Sequence, residues 1–250
     1  MSGDHFALLR GAMNDPMNDR RAFVEESRFG VWFLGTRTWH VHVLKRALND
    51  LERLLQPRAE RYPVILDIGS GYGKSLSELA ARFAPERLIT VDADPAARLR
   101  AAEAIARSRV PVEWHSANAA DLPLADGSVD LVFCHQTLHH IVAQAAALNE
   151  CLRVLKPGGV LLMAESTSAY IHSWLIRLLF RHPMQVQRSA ADYIAMVRRA
   201  GFDVRPDAIS LPFLWWSRPD LGIKEWLGMR VPAQREETLV NLVAFKPAAA

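Results

Sequence analysis

A glycine turn at residues 64–75, between a short apolar run and a predicted helix, constrains the fold of this chain more than any other feature. The run Val-Ile-Leu-Asp ends at Asp67, and glycines follow at alternate positions, Gly69, Gly71 and Gly73. This order predicts a buried strand that leads into a tight turn and then a helix. Glycine adopts positive φ and has no Cβ, so the turn can lie directly against a ligand, towards which the first N–H groups of the helix also point. The segment therefore predicts a ligand-binding turn.

Two well-known glycine loops do not fit this turn. The phosphate-binding P-loop has four residues between its first glycine and Gly-Lys-Ser, whereas Gly69 is followed by only three before Gly73, and Ile68 stands where the glycine is required. The dinucleotide-binding pattern G-x-G-x-x-G needs its third glycine at the position of Lys74. The turn therefore predicts neither a P-loop nor a dinucleotide site.

Further segments follow the turn in a definite order. Residues 88–92, Leu-Ile-Thr-Val-Asp, predict a second strand that ends in Asp92, about one βαβ unit after the glycines, where an acid can accept hydrogen bonds from both hydroxyls of a ribose. Three more motifs come after it: Ala-Asn-Ala-Ala-Asp-Leu-Pro at 117–123, Asp-Gly-Ser-Val-Asp-Leu-Val-Phe at 126–133, and Leu-Arg-Val-Leu-Lys-Pro-Gly-Gly-Val-Leu-Leu at 152–162.

Together with the glycine turn, these motifs resemble class I S-adenosylmethionine-dependent methyltransferases over roughly residues 62–165. The resemblance implies an α/β fold, a three-layer Rossmann-like sandwich whose seven-stranded, mostly parallel sheet has an antiparallel hairpin at one edge. It also implies S-adenosyl-L-methionine as cofactor and S-adenosyl-L-homocysteine as product. The predicted cofactor-binding residues are Asp67, Gly69, Ser70, Gly71, Asp92, Ala93, Asn118, Ala119 and His135.

Four of these assignments carry qualifications. Many relatives have Asp where this chain has Asn118, but an amide carbonyl still accepts a hydrogen bond from the adenine amino group, with the N–H of Ala119 serving a ring nitrogen. His135 would line the cofactor pocket through its backbone. Asp67 and Asp92 have an alternative reading, in which each caps the turn or helix that follows it.

Composition limits the class of protein. The 250 residues are 50% apolar and 23% charged, which is typical of one globular domain with additions. The net charge is +3, and no run of five basic residues indicates a nucleic-acid-binding tail. There is no secretory signal and no apolar stretch long enough to cross a membrane. The two cysteines, Cys134 and Cys151, do not imply a bridge, so we expect a cytoplasmic protein. No metal site is predicted.

The chain divides into three predicted parts. Residues 1–56 form an N-terminal helical cap, with a helix from about Trp39 to Leu55. Residues 57–165 form the cofactor-binding core. Residues 166–250 add cap helices and the last two strands. Within the core, alternating strands and helices predict a parallel sheet covered on both faces. The predicted strands are 64–68, 88–92, 111–114, 129–134 and 159–164, with 202–211 and 238–245 closing the sheet.

The two flanking parts carry most of the tryptophans: Trp32, Trp39, Trp174, Trp215, Trp216 and Trp226. Ligands of open α/β sheets bind beyond the carboxyl ends of the strands, where such flanks lie. Because aromatic side chains provide large apolar contact areas, we expect a small apolar or aromatic acceptor. The alternative is that the tryptophans only bury the flanks against the core. An apolar stripe along residues 171–181 indicates a core-packed or lid helix more than a membrane anchor.

Three residues near the predicted strand ends are candidate catalytic groups. His139 and His140 match a Leu-His-His pattern found after the fourth strand in this family, and Glu165 ends the fifth strand. Methyl transfer is an in-line displacement that requires positioning and exclusion of water, and it uses a base where the acceptor must lose a proton. His139 is the first candidate for that base. Its alternative role is structural, at the start of a helix.

Other functions find less support in the sequence. DNA amino-methylating enzymes carry an Asn/Asp-Pro-Pro-Tyr/Phe turn where this chain has Cys-His-Gln-Thr at 134–137, and the Pro-Cys nucleophile of cytosine C5 enzymes is absent because Phe133 precedes Cys134. Methylation of RNA or protein, and a non-catalytic S-adenosylmethionine-binding role, stay open as alternatives. The oligomeric state is not indicated.

Overall fold

A seven-stranded sheet forms the centre of the protein. The computed structural model describes residues 26–214, 223–230 and 237–248. The strands lie in the order β3-β2-β1-β4-β5-β7-β6, with β1 to β5 parallel and β7 antiparallel to both of its neighbours. Their bounds are β1 Val64–Ile68, β2 Arg87–Asp92, β3 Val112–Ser116, β4 Val129–His135, β5 Leu155–Ser166, β6 Ile209–Ser210 and β7 Leu239–Phe245. The predicted fold class is confirmed.

Helices cover both faces of this sheet. The α-helices are α1 Arg28–Leu34, α2 Arg37–Trp39, α3 Lys45–Leu54, α4 Lys74–Phe83, α5 Ala97–Ala106, α6 Gln144–Val154, α7 Ser168–Ile171, α8 Trp174–Leu179, α9 Ala190–Arg199 and α10 Ile223–Trp226. A π-helical segment, His40–Leu44, joins α2 to α3, and short 3₁₀ turns occupy Leu138–His140, Met184–Val186 and Pro206–Ala208. The helix predicted from about Trp39 to Leu55 is thus present, with a widened turn at its start.

Two apolar cores lie on opposite faces of the sheet. One packs β1, β2, β4 and β5 against α6 and α9, and its largest fully buried side chain is that of Tyr193. The other packs the same strands against α3 and α4, where Leu48 and Leu51 have no exposed surface. Since both faces are covered, the central strands are continuous apolar runs rather than alternating ones.

The strand order reverses direction between β1 and β4. The chain moves from β1 to β2 and β3 on one side, and returns to β4 and β5 on the other side. A crevice opens at such a switch point, beyond the carboxyl ends of the two strands, because the connections leave in opposite directions. The turn after β1 and the segment after β4 therefore meet at this crevice.

Two predicted strands differ from those observed. β5 begins at Leu155, earlier than predicted, because the Lys-Pro-Gly-Gly segment continues the strand; the register shifts between Val129 and Leu131, and Gly158 takes a φ of +76°. β6 covers two residues of the predicted span 202–211, while Asp203 separately bridges Phe245.

The apolar stripe predicted along residues 171–181, made of Ile171, Trp174, Leu175, Leu178 and Leu179, is wrong as one buried face. The helix breaks between α7 and α8, so the spacing of the side chains changes at the break. Ile171 and Ile176 are buried, whereas Trp174 and Leu178 are 48% and 71% exposed. Trp215 and Trp216 lie outside the described residues. Trp226 is exposed.

Among the described residues, no helix combines the length and the apolar character needed to cross a bilayer. The division of the chain into a cap, a core and a second cap region stays a prediction.

Candidate functional site

The turn after β1 is built around the requirements of three glycines. Gly69, Gly71 and Gly73 all have positive φ, between +53° and +76°. A Cβ on Gly69 would lie 2.1 Å from Oγ1 of Thr137, and one on Gly73 would lie 2.9 Å from the Cβ of Ala104. A Cβ on Gly71 would meet no described atom within 4 Å. Gly69 and Gly73 thus permit close packing, while Gly71 leaves open space on the side of the crevice.

Asp67, at the end of β1, lies beneath this turn. Its side chain is 2% exposed, and Oδ2 accepts a hydrogen bond of 2.5 Å from Oγ of Ser75, in the first turn of α4. Burial raises the pKa of Asp67 to about 6, against the opposing effect of the hydrogen bond. Ser70 is also buried, beside it. The carboxyl group thus joins the strand to the helix that follows the turn.

Asp92, at the end of β2, holds the outer side of the turn. Its Oδ2 accepts a hydrogen bond of 2.9 Å from the N–H of Gly71, and Oδ1 accepts one of 2.9 Å from the N–H of Asp94. Desolvation by burial raises its pKa. Asp92 therefore connects the ends of two neighbouring strands, and each of its oxygens keeps a second lone pair for a ligand hydroxyl.

Asn118, after β3, uses its amide in a local turn. Oδ1 accepts a hydrogen bond of 2.9 Å from the N–H of Ala120, two residues on. A carbonyl oxygen has two lone pairs, so the same atom can accept a second hydrogen bond from a ligand. The backbone of Ala119 follows along the same wall of the crevice.

These elements surround a cavity of about 370 Å³. That volume lies in the range of small-molecule sites. Six of the predicted cofactor residues line the cavity: Gly69, Gly71, Asp92, Ala93, Asn118 and Ala119. His140 lines it as well. The cavity walls do not include Asp67, Ser70, His135, His139 or Glu165, which lie behind them.

His135 faces away from this cavity. Its ring is stacked on Phe133 with a centroid distance of 5.8 Å and contacts Trp39 at 5.5 Å, on the α3 side of the sheet. Nε2 is buried and has no hydrogen-bond partner within the described part of the chain. Burial lowers the pKa of His135 to about 4, so the ring is neutral at pH 7. Any cofactor contact by this residue would have to be made by its backbone.

A buried glutamate organises the turn after β4. Glu165, on β5, has no exposed surface. Its Oε1 accepts hydrogen bonds from the N–H of Thr137 at 2.9 Å and the N–H of Leu138 at 2.7 Å. Its Oε2 lies 2.6 Å from Nδ1 of His139, which donates to it because a carboxylate only accepts. The preceding residue, Gln136, takes a φ of +53°, uncommon outside glycine.

Three histidine rings meet beside this turn. The ring centroid of His139 lies 4.3 Å from that of His140 and 5.2 Å from that of His182, and the last two are 4.8 Å apart. Burial lowers the pKa of His140 well below its usual range and that of His182 to about 3. Both rings are therefore neutral imidazoles at pH 7. We call these three residues the histidine cluster.

Helix α1 covers the crevice from the amino-terminal side. Nζ of Lys74 donates hydrogen bonds of 2.6 and 2.7 Å to the carbonyl oxygens of Gly35 and Thr36, just beyond the end of this helix. At its start, Oγ of Ser27 donates a 2.5 Å bond to the carbonyl oxygen of Leu179. The helix is thus held to the glycine turn at one end and to α8 at the other.

Several cavity-lining residues were not predicted from the sequence. Val31 and Leu34 come from α1, and Glu26 precedes it. Tyr72 and Arg100 lie on the cofactor side, where Arg100 pairs with Asp94 and its guanidinium lies 5.7 Å from the ring of Tyr72. Tyr72 stands between two glycines of the turn, so its place at the cavity could have been predicted from the sequence. The approach of α1 to the cavity could not, because it depends on packing.

Comparison with known proteins agrees with this geometry. Residues 66–163 match the model of a methyltransferase domain family. A probable S-adenosylmethionine-dependent methyltransferase of Mycolicibacterium smegmatis is 36% identical over 155 residues, covering 61% of this chain and 56% of the relative. The ubiquinone/menaquinone biosynthesis C-methyltransferase UbiE of Rubrivivax gelatinosus is 37% identical over 124 residues, 49% of this chain and 45% of that protein. An O-methyltransferase, cnsE, of Penicillium expansum is 32% identical over 146 residues, which cover 56% of this chain and 52% of that protein.

Similarity to solved structures extends over more of the chain. The structure of a methyltransferase dependent on S-adenosylmethionine from Aquifex aeolicus superposes with a TM-score of 0.60, covering 86% of this chain and 96% of that one at 17% identity. At that identity the likeness shows the fold alone. The chain spans about half the length of the three curated relatives named above.

Over part of its length the chain is thus similar to a methyltransferase domain and to S-adenosylmethionine-dependent methyltransferases, whose cofactor is S-adenosyl-L-methionine. The residues present fit that group: the open side of Gly71, the lone pairs of Asp92 and the amide of Asn118 all border one cavity of suitable volume. The individual cofactor contacts stay predictions.

We expect Gly69→Ala to destabilise the protein by about 2 kcal/mol more than Gly127→Ala. Both glycines have positive φ, but only the new methyl group at Gly69 would collide with Thr137, whereas the one at Gly127 meets no described atom within 4 Å. Urea unfolding of both variants measures the difference. Equal destabilisation would show that the turn moves away from Thr137 at no cost.

We also expect Asp67 to make stability depend on pH in the cofactor-free protein. Because its folded pKa of about 6 lies above the ordinary value of 3.8, the native state binds the proton more tightly than the unfolded chain. The free energy of unfolding of the wild type, relative to Asp67→Asn, should therefore fall as pH rises from about 4 to 6. Unfolding curves at several pH values measure it, with exposed Asp207→Asn as control. A flat or rising difference would contradict the raised pKa.

Proposed function

We propose that this protein transfers the methyl group of S-adenosyl-L-methionine to the oxygen or carbon of an apolar or aromatic small molecule. One observation carries the proposal: a single cavity joins the glycine turn and Asp92 to His140 and the apolar side chains of α1. A donor held at one end of this cavity would direct its reactive group towards an acceptor at the other end.

The cofactor end would be held by the residues already described. Asp92 would accept hydrogen bonds from the ribose hydroxyls, and Asn118 with the N–H of Ala119 would bind the adenine edge. The backbone around Gly69 and Gly71 would approach the rest of the molecule, because neither residue has a side chain in the way. When bound, the cofactor supplies a sulfonium methyl group, which is transferred as its carbon–sulfur bond breaks and the electron pair stays on sulfur.

The acceptor end favours an apolar molecule. Val31, Leu34 and Ile141 line it, and Arg100, at the cofactor end, is already paired with Asp94. Phe29 and Phe33 lie on α1, and their rings contact that of Phe180 with centroid distances of 5.6 and 5.8 Å. The protein would contribute mainly by orienting the acceptor and excluding water.

The names of two relatives, a quinone-pathway C-methyltransferase and an O-methyltransferase, support a small-molecule acceptor. We further propose a cytoplasmic location, since both cysteines are free thiols in the structure and buried.

Removal of the acceptor proton would fall to the histidine cluster. Glu165 holds Nδ1 of His139 and thereby directs the other ring nitrogen, Nε2, away from the carboxylate. We propose that His140, which lines the cavity, contacts the acceptor and passes its proton to His139 behind it, and that Glu165 is a positioning residue. Glu165 itself is fully buried and accepts four hydrogen bonds, one of them from Sγ of Cys134, so it would act through His139.

Binding and transfer test the proposed function separately. Calorimetry with S-adenosylhomocysteine should show one binding site. Asp92→Asn should weaken the binding at least about tenfold, because one of the two acceptor oxygens proposed to bind the ribose hydroxyls is lost. Incubation with methyl-tritiated cofactor and fractionated cell extract should then label material that dissolves in organic solvent and resists ribonuclease and protease. No heat with folded protein would refute cofactor binding. Label confined to RNA or protein would refute the small-molecule acceptor, and binding with no label in any fraction would indicate a non-catalytic binder.

His139→Ala should lower the turnover rate of a phenol or quinol found in such a screen about a hundredfold or more, with unchanged affinity for S-adenosylhomocysteine. Glu165→Gln should lower it less and shift the pH profile of turnover, because a glutamine oxygen cannot stabilise a positive ring as a carboxylate does. Exposed His172→Ala, in the same part of the chain, is the matched control. Unchanged turnover in His139→Ala would remove this residue from the reaction.

A further inference from the structure

We propose that His139, His140 and His182 together bind one divalent transition-metal ion, and that zinc suits this set of ligands best. The inference puts an ion in the place of the base that the proposed function assigns to His139, and it rests on the proposed function only for the ion's role, not for its binding. A metal site was not predicted from the sequence, in which His182 lies more than forty positions after the other two histidines.

The positions of the rings support a shared ligand. One ring nitrogen from each histidine lies within 4.8 Å of the corresponding nitrogen of the other two. Nitrogens bound to a tetrahedral zinc ion at 2.0–2.1 Å would be about 3.4 Å apart. Small rotations of His140 and His182, which are only partly buried, would bring them to that distance. The ordinary alternative is that three neutral rings simply pack together.

Glu165 provides the support that a metal-binding histidine requires. Metal-binding histidines nearly always donate their second ring N–H to a carboxylate, carbonyl or water, which fixes the tautomer and the ring orientation. Nδ1 of His139 makes this contact with Glu165 at 2.6 Å, so Nε2 is left for an ion.

The segment that carries His182 is fastened to the other two ligands. Nε2 of Gln187 donates hydrogen bonds of 2.9 Å to the carbonyl oxygens of both His139 and Pro183. The N–H of Arg181 donates one of 2.8 Å to Oε1 of Glu26. Contacts on both sides of His182 therefore hold it against the 3₁₀ turn Leu138–His140, so binding an ion would order little additional chain.

The chemistry of the surroundings also favours a cation. Two carboxylates lie near the cluster: Glu165 contacts His139 directly, and Glu26 is close enough to interact with it electrostatically. Neutral imidazole is the form that binds zinc, and it also suits copper, iron and nickel. Three protein ligands leave one tetrahedral position open, as in catalytic rather than structural zinc sites.

The open position would serve the reaction, because His140 also lines the cavity. An acceptor hydroxyl bound to the ion would lose its proton to water more readily, since the ion lowers its pKa. The oxygen lone pair would then form the new bond to the methyl carbon as the carbon–sulfur bond breaks, leaving its electron pair on sulfur. Binding an ion uses the nitrogen of His139 that would otherwise accept a proton, so the two roles exclude each other.

A titration of the full chain without an affinity tag tests the proposal. Protein dialysed against a chelator and then freed of it should bind ZnCl₂ in calorimetry with one strong site per chain. His182→Ala and His140→Ala should weaken this site at least tenfold, and Glu165→Gln should weaken it about tenfold through the ring orientation. Exposed His172→Ala should bind zinc as the wild type does. Thermal unfolding confirms that each variant is folded.

A spectrum distinguishes the site from adventitious binding. CoCl₂ added to the wild type should give the intense visible bands of a four-coordinate ion, and these should be lost in His182→Ala. The proposal is overturned if the folded wild type shows no strong zinc site, or if folded His182→Ala keeps the affinity and the spectrum of the wild type. Either result would leave the cluster as packed rings or a base.

Failure of the metal site and failure of the proposed function are distinguishable on the same sample. Heat with S-adenosylhomocysteine but not with zinc would reject the metal site and keep the methyltransferase. Heat with zinc that depends on the histidine cluster, but none with S-adenosylhomocysteine, would keep the metal site and reject the proposed function.

Discussion

The buried carboxylate of Glu165 is the contact on which the turn after β4, on one side of this crevice, depends. It lies on β5, yet it holds the backbone of Thr137 and Leu138 and the ring of His139, all of which follow β4. A charge with no exposed surface is costly unless hydrogen bonds compensate it, so these three donors and the carboxylate stabilise one another. The turn is thereby fixed, and Thr137 packs closely against Gly69 of the opposite turn.

This arrangement brings the elements of the proposed function to one crevice. The reversal of strand order between β1 and β4 opens the space, the glycine turn lines it without side chains at Gly69 and Gly71, and the Glu165 network holds His139 beside His140, which lines the cavity. The cover is supplied by α1, which Lys74 links to the glycine turn. Lys74 thus has a structural part in a motif that at first resembled a phosphate-binding loop.

Much of the cofactor side was predictable because its determinants are local. Positive φ and close approach demand glycine at fixed spacing, and six of the predicted cofactor residues line the cavity. The prediction of one apolar stripe along 171–181 was wrong because it assumed a continuous helix. The chain breaks between two short helices there, and the set of buried residues changes at the break. Glu165 was predicted as a candidate catalytic group at a strand end, but its partners were not, since the sequence does not reveal which groups will contact it.

The sequence by itself determined the strand–turn–helix order and the residues at the carboxyl ends of the strands, because these follow from backbone sterics and the periodicity of apolar residues. The resemblance to methyltransferases came from its ordered motifs. Only the tertiary structure decided which side chains meet. Val31 and Leu34 reach the cavity, and His182 joins His139 and His140, through packing between segments far apart in the chain. Such contacts arise from the burial of whole faces, and no spacing along the chain encodes them.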